Sequence, residues 1–213
     1  MSTDLLTLAQ WLSPAYPIGA FAYSHGLEAA IGSGLITNGA ELQDWLKDVI
    51  CHGSGRNDCI LLYAAYACAT TEDLEAVDAT GRAFAATSER ILETSLQGAA
   101  FGQVTGQIWG NAAADYIYPV SLGAAAAHLG LDRQTTASMY CHAMVGNLVS
   151  CAQRLMGLGQ TDAQTVVAAL APMCAQTATD TLNARLDDLH STAFWSDIAA
   201  MHHETQQPRI FRT

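Results

Sequence analysis

The stretch Arg133-Gln-Thr-Thr-Ala-Ser-Met-Tyr-Cys-His-Ala-Met-Val-Gly-Asn-Leu-Val-Ser-Cys-Ala-Gln-Arg-Leu-Met156 decides the fold class. Its apolar side chains, among them Ala137, Tyr140, Cys141, Val145, Leu148, Val149 and Ala152, return every three or four residues, which gathers them on one side of a helix. Asp132 stands immediately before it and reads as an N-cap, because its carboxylate can accept the unpaired amides of a first helical turn. The same spacing recurs along nearly the whole chain, and no run shows the alternation or β-branched enrichment of a strand. The expected fold is all-α. Helices are predicted over 4–12, 22–33, 39–52, 57–70, 72–93, 95–110, 117–129, 133–156, 161–177 and 179–203. Gly32-Ser-Gly34 and Gly53-Ser-Gly55 break the pattern, and Thr71 and Thr161 read as further N-caps. No linker, low-complexity tract or repeat divides residues 1–213, so one compact domain of about ten helices is expected, with only an N-terminal segment and a C-terminal tail (about 202–213) detachable from it.

Gly98, Gly102, Gly106 and Gly110 recur every four residues and form a slowly drifting stripe on one helical face. Each costs a helix about 1 kcal/mol relative to Ala, so four forfeit roughly 4 kcal/mol, a large share of a domain's stability. Something must offset that loss. One account is close approach of neighbouring backbones. The other is a narrow passage, with Gln103 and Gln107 on the same four-residue repeat lining a polar groove beside the glycines.

Half of the 213 residues are hydrophobic, enough to bury a sizeable core. With 20 acidic against 9 basic residues the formal net charge is -11, which repels phosphate backbones and anionic lipid headgroups. No nucleic-acid or membrane partner is expected. No Lys or Arg precedes Lys47, so the basic start of a targeting segment is missing and a cytoplasmic location is expected. Cys51, Cys59, Cys68, Cys141, Cys151 and Cys174 show no Cys-x-x-Cys spacing and read as reduced thiols. Residues 5–27, 94–114 and 134–153 lack Asp, Glu, Lys and Arg, but Pro14, Pro17, Gln97, Gln103 and Gln107 fit central helices of a soluble bundle better than hydrocarbon.

Motifs for catalysis are missing. Lys47, the only lysine, stands in Trp45-Leu-Lys-Asp48, so there is no phosphate-binding loop, and neither His-Glu-x-x-His nor Gly-x-Ser-x-Gly occurs. Cys51-His52 and Cys141-His142 could in principle offer thiolates and imidazoles to one ion, as in a helical metal-binding enzyme. Neighbouring helical side chains diverge by about 100°, however, and the expectation is no metal site. His202-His203-Glu204 is at most a surface site for transient nickel contact. Ser24, His25 and Glu28 mimic a hydrolase set, but Ser24 and His25 are adjacent and point apart, so Phe21–Glu28 reads as a recognition surface. Arg56, Arg82 and Arg90 are candidates for a GTPase-activating finger by residue type alone, and surface ion pairing is the expectation for each.

Two segments concentrate aromatic and ionic groups on a chain otherwise poor in charge. Met201-His-His-Glu-Thr-Gln-Gln-Pro-Arg-Ile-Phe-Arg-Thr213 places Arg209 and Arg212 around Ile210 and Phe211 at the very end, where chains usually fray, and reads as a docking peptide. Ser13-Pro-Ala-Tyr-Pro-Ile-Gly-Ala-Phe-Ala-Tyr-Ser-His-Gly-Leu-Glu28 is its counterpart. Together with Tyr118-Pro-Val-Ser-Leu-Gly123 and Val149-Ser-Cys-Ala-Gln-Arg-Leu-Met-Gly-Leu-Gly-Gln160, in this order, these segments resemble the urease accessory protein F family of nickel-urease maturation factors. His202 stands where the family usually has Arg, and Gln207-Pro208 where it has Tyr-Ser. The resemblance implies a non-enzymatic adaptor, a homodimer that binds a second accessory protein of the D or H type. Through it the adaptor recruits the nickel-delivering GTPase, protein G, to apo-urease. It also implies that no cofactor is tightly bound and that the complex handles nickel transiently. The expected partner-binding residues are Tyr16, Pro17, Gly19, Phe21, Tyr23, Ser24, His25 and Glu28 in the first segment, and His203, Glu204, Thr205, Arg209, Phe211 and Arg212 in the tail.

Overall fold

In the computed structural model, which describes residues 2–110 and 115–213, the chain forms helices α1 (Ser2–Trp11), α2 (Leu27–Gly32), α3 (Gly39–His52), α4 (Ser54–Ala67) and α5 (Thr71–Ala83). These are followed by α6 (Ser88–Trp109), α7 (Tyr118–His128), α8 (Arg133–Met156), α9 (Gln160–Asp180) and α10 (Phe194–His203), with single 3-10 turns at Ala20–Ala22 and Leu186–Asp188. No strand occurs among the described residues, and the fold is all-α. Residues 111–114, at the end of the second charge-free stretch, lie outside the described residues. None of the described helices is long and apolar enough to cross a membrane.

Local signals account for most boundaries. Asp132 accepts the Thr135 amide at 2.7 Å and starts α8 as expected, while Asn38 does the same for Ala40 and Glu41 at the start of α3. Elsewhere the structure corrects the reading. The cap of α5 is Thr70, not Thr71, and α9 starts after Gly159, leaving Thr161 inside the helix. The helix predicted over 72–93 is broken at 84–87, because the Thr87 side chain caps the Arg90 amide at 3.0 Å and starts α6 there. Residues 22–26 do not join α2, since His25 and Gly26 adopt left-handed backbone with φ of 58° and 77°. Between α9 and α10 a loop replaces the predicted helical continuation. Contacts from α3 and α4 hold it: Arg56 donates to the Asp188 carbonyl at 2.9 Å and the Thr192 amide to the His52 carbonyl at 2.9 Å.

The core centres on α4, which buries Cys59, Ile60, Leu61, Leu62, Tyr63 and Ala65 on all sides, as a helix apolar all round should. It lies against α3, α7 and α8. Edge-on contacts of Trp11 with Phe101 at 5.3 Å, and of Tyr118 with Phe101 and Tyr140 at 5.5 and 5.6 Å, tie α1, α6, α7 and α8 together. The glycine stripe divides. A Cβ on Gly98 would stand 1.9 Å from the Tyr116 carbonyl oxygen, so this position exists for close backbone packing, whereas Gly110 ends α6 in the left-handed conformation. Gln103 and Gln107 are exposed, whereas Gly102 is buried.

Gly98→Ala is therefore expected to cost at least about 2–3 kcal/mol, read as a fall in denaturation midpoint, because backbone must move to admit one methyl group. Gly146→Ala in α8 is the control. Nothing lies within 4 Å of its Cβ position, so that substitution is expected to stabilise by up to about 1 kcal/mol.

Candidate functional site

The two segments singled out in the sequence come together as one buried polar assembly. A single carboxylate organises it: Glu28 in the first turn of α2 accepts the main-chain amides of Ile210 at 2.7 Å and Phe211 at 2.8 Å, with His203 Nε2 at 3.3 Å. The other ring nitrogen of His203 lies 2.7 Å from Glu89, whose second oxygen accepts Arg209 at 2.6 Å. His203 is wholly buried, with a carboxylate at each ring nitrogen. Two main-chain bonds pin the ends, from the Ser24 amide to the Thr213 oxygen at 2.8 Å and from the Arg212 amide to the Ala22 carbonyl at 2.9 Å. The Ser24 hydroxyl also donates to the Thr213 oxygen.

A second ionic row joins α4, α6 and α8. Arg90 of α6 reaches Asp58 of α4 at 2.6 Å and Glu93 at 3.2 Å, and Tyr140 of α8 donates to the same Asp58 oxygen at 2.5 Å. Burial alone would raise the Glu93 pKa. Arg90 outweighs it, helped by His25 and the Thr213 hydroxyl, and holds Glu93 at about 2. Tyr140 is driven up by burial and by Asp58, which keeps its proton available as a donor. From α8, Asn147, Cys151 and Arg154 stand on one face and donate to the carbonyls of Ala20, Tyr23 and Phe21 at 3.0, 3.2 and 2.8 Å. The Arg154 guanidinium also lies 4.4 Å above the Phe211 ring.

The expected site residues therefore divide by exposure. Tyr16, Tyr23, Ser24, Glu28, His203 and Phe211 are buried, while Pro17, Phe21, Glu204, Thr205, Arg209 and Arg212 remain exposed and Gly19 and His25 are half-buried. The tail does not fray: Phe211 is only 3 % exposed, because the carboxylates of α2 and α6 neutralise and hydrogen-bond a segment whose polarity suggested solvent. Glu204 accepts the Ser88 amide at 2.9 Å and caps the start of α6 from outside. Sequence reasoning missed Asp58, Glu89, Glu93 and Tyr140. A buried acid in a helix leaves no spacing signature, and only the i,i+3 pairing of Arg90 with Glu93 was open to it.

The other candidates separate as helical geometry requires. Cys141 is buried while His142 points outward, and Cys51 and His52 likewise diverge. Among the described residues no group of three or more His, Cys, Asp or Glu side chains is placed to hold a metal ion. Cys59 and Cys141 lie 3.3 Å apart, sulfur to sulfur, in the core. All three arginines raised as possible fingers are engaged within the chain: Arg56 with Asp188, Arg82 with Asp78 at 2.5 Å, and Arg90 in the buried row rather than at the surface. Two cavities, of about 240 and 550 Å³, meet at His25, Arg90 and Glu93. Tyr16 lines the larger one with a buried hydroxyl.

Comparison with known proteins accords with this architecture. The family model UreF matches residues 36–171. A protein named "Urease accessory protein UreF" from Roseobacter denitrificans is 50% identical over 214 residues, covering 100% of this chain and 96% of that protein. One of the same name from Ruegeria pomeroyi is 48% identical over 210 residues, covering 99% and 97%. A third, from Cereibacter sphaeroides, is 46% identical over 213 residues and covers both chains fully.

Two outcomes are expected. Glu28→Ala strands two amides and a buried imidazole and should cost about 3–5 kcal/mol, with faster hydrogen exchange at 209–213; deleting 202–213 should likewise lower the melting temperature. The depressed Glu93 pKa contributes stability that is fully present above pH 4.5 and lost as pH falls towards about 2. Acid unfolding should show this loss, on the order of 3 kcal/mol, and Glu93→Gln should flatten it.

Proposed function

Because the chain belongs to the UreF family of urease accessory proteins, we propose that it serves urease maturation as an adaptor, joining a D- or H-type accessory protein to the nickel-delivering GTPase, protein G, and to apo-urease. Its contribution to maturation is binding rather than turnover of GTP. It works in the cytoplasm as a homodimer, influences GTP-coupled nickel insertion, and takes part in the transient handling of nickel without a tightly bound cofactor of its own.

The observation that supports this reading best is the orientation of α10. The helix buries its small and polar side, Ser196, Ala199 and His203, and turns its large apolar residues outward: Phe194 is 65 % and Trp195 64 % exposed, with Ile198 and Met201 continuing the stripe. Packing on α2 forces this choice, since a Cβ at Gly26 would stand 2.6 Å from the Ala200 amide nitrogen, too close for large side chains to intervene. An exposed apolar helix face with two adjacent aromatic residues is the composition of a protein interface core. The exposed Ile210 and Arg212 of the packed tail add an apolar and a cationic group nearby in sequence.

Trp195→Ala and Ile198→Asp are expected to leave the helical circular dichroism and melting temperature unchanged while weakening capture of the D/H-type partner by about thirtyfold or more. That corresponds to roughly 2 kcal/mol for an anchor residue. Unchanged co-purification of both variants with that partner would overturn the docking assignment for α10.

A further inference from the structure

His25 has a serine partner, but it is not the adjacent Ser24. Its Nε2 lies 2.7 Å from the hydroxyl of Ser54, the first residue of α4, and its Nδ1 lies 3.6 Å from Glu93, longer than a hydrogen bond, as catalytic contacts often are before substrate binds. The order is nucleophile, imidazole, carboxylate. We propose that Ser54, His25 and Glu93 form a serine acyl-transfer centre, separate from the assembly role, that hydrolyses esters of small uncharged acids. Such sets are recognised by geometry and roles rather than by sequence order.

Four independent features fit the assignment. His25 is held at φ 58°, a left-handed conformation uncommon for a non-glycine residue, and the following Gly26 at 77°, so the backbone is bent where it aims this ring. Glu93 is buried and held ionised by Arg90, as an orienting carboxylate must be if it is to fix the tautomer that leaves Nε2 free to accept the serine proton. Ser54 opens a 14-residue helix, so its hydroxyl stands where the positive end of the helix dipole favours a developing anion. Gly55 is confined there, since a Cβ would stand 2.8 Å from the Ile50 Cα. Lastly, all three side chains line the cavity of about 240 Å³, whose apolar wall of Leu61, Phe84 and Ile117 offers room for a small acyl group. Asp58, Glu89 and Asp197 line it as well and disfavour an anionic acid portion.

The reaction balances without a further reagent. Ser54 Oγ attacks the ester carbonyl while its proton passes to His25 Nε2. The tetrahedral oxyanion collapses with cleavage of the carbon–oxygen ester bond, and His25 returns the proton to the departing alkoxide. Water, deprotonated by His25, then attacks the acyl-serine; the bond from the carbonyl carbon to Ser54 Oγ breaks, His25 returns the proton to Oγ and the carboxylic acid leaves, so ester and water yield acid and alcohol. Glu93 acts through His25 and is a positioning residue.

The test uses the full-length protein with an alkyl fluorophosphonate and with p-nitrophenyl acetate. Peptide mapping of the native protein is expected to place a single phosphonyl adduct on Ser54, with loss of fluoride. Ester turnover is expected to fall at least a hundredfold in Ser54→Ala and in His25→Asn, the latter chosen because Asn tolerates left-handed backbone. Glu93→Gln should lower kcat with KM unchanged, counted per molecule still able to react with the fluorophosphonate, a split that mere unfolding does not produce. No adduct on Ser54 of the native protein, or turnover that survives Ser54→Ala, overturns the proposal.

Discussion

The structure depends on the Glu28 carboxylate. It is 5 % exposed and takes bonds from two consecutive tail amides, with one imidazole beside it. A buried carboxylate without such partners would be expelled or neutralised. The converse also holds: the Ile210 and Phe211 amides, in a segment with no regular secondary structure, have no ladder to join, and Glu28 stands in for one. Each side makes the other's burial tolerable.

That reciprocity spreads outward through charge. Glu89 shares His203 with Glu28 and takes Arg209; Arg90, the next residue on α6, faces inward to Asp58 and Glu93; Glu93 returns to the tail through the Thr213 hydroxyl. Helices α2, α4, α6, α8 and α10 thus meet at one polar centre inside a chain that is otherwise short of ionic groups. Apolar packing around α4 supplies the bulk of the driving force, being non-directional. The ionic row fixes which helix ends meet, because a misplaced acid in a low-dielectric interior is heavily penalised.

What could be read beforehand follows from range. Helix α8 was legible to the residue, since its apolar spacing and the Asp132 cap are local, and α3 likewise. The break before Ser88 was not, because a single Thr87 hydroxyl outweighs the helical preference of Ala85 and Ala86. For the tail and its N-terminal counterpart, composition suggested an exposure that Glu28, His203 and Phe211 do not have. Ile210 and Phe211 sit 182 and 183 positions from Glu28, and nothing in either neighbourhood announces the other. Gly98 was legible as a cost and as a place for close backbone approach, but its partner was not, for the Tyr116 carbonyl that occupies its missing Cβ comes from the approach to another helix.

Burial of the tail changes where association must occur. A segment whose amides are already spent on Glu28, and whose Phe211 lies under Arg154, offers a partner little main chain; what it presents is Ile210 and the side chains of Arg209 and Arg212. Helix α10, which turns Phe194, Trp195, Ile198 and Met201 to solvent, ends at His203, the hub between Glu28 and Glu89. A partner gripping Trp195 and Ile198 therefore grips the helix that ends in the ionic centre, and any tilt of α10 must change distances at His203 or be resisted by both carboxylates. Rigid coupling of this kind needs no separate relay. The proposed docking face and the buried site are two sides of one ten-residue helix, so in that reading binding on the outside and order on the inside are thermodynamically linked, each stabilising the other.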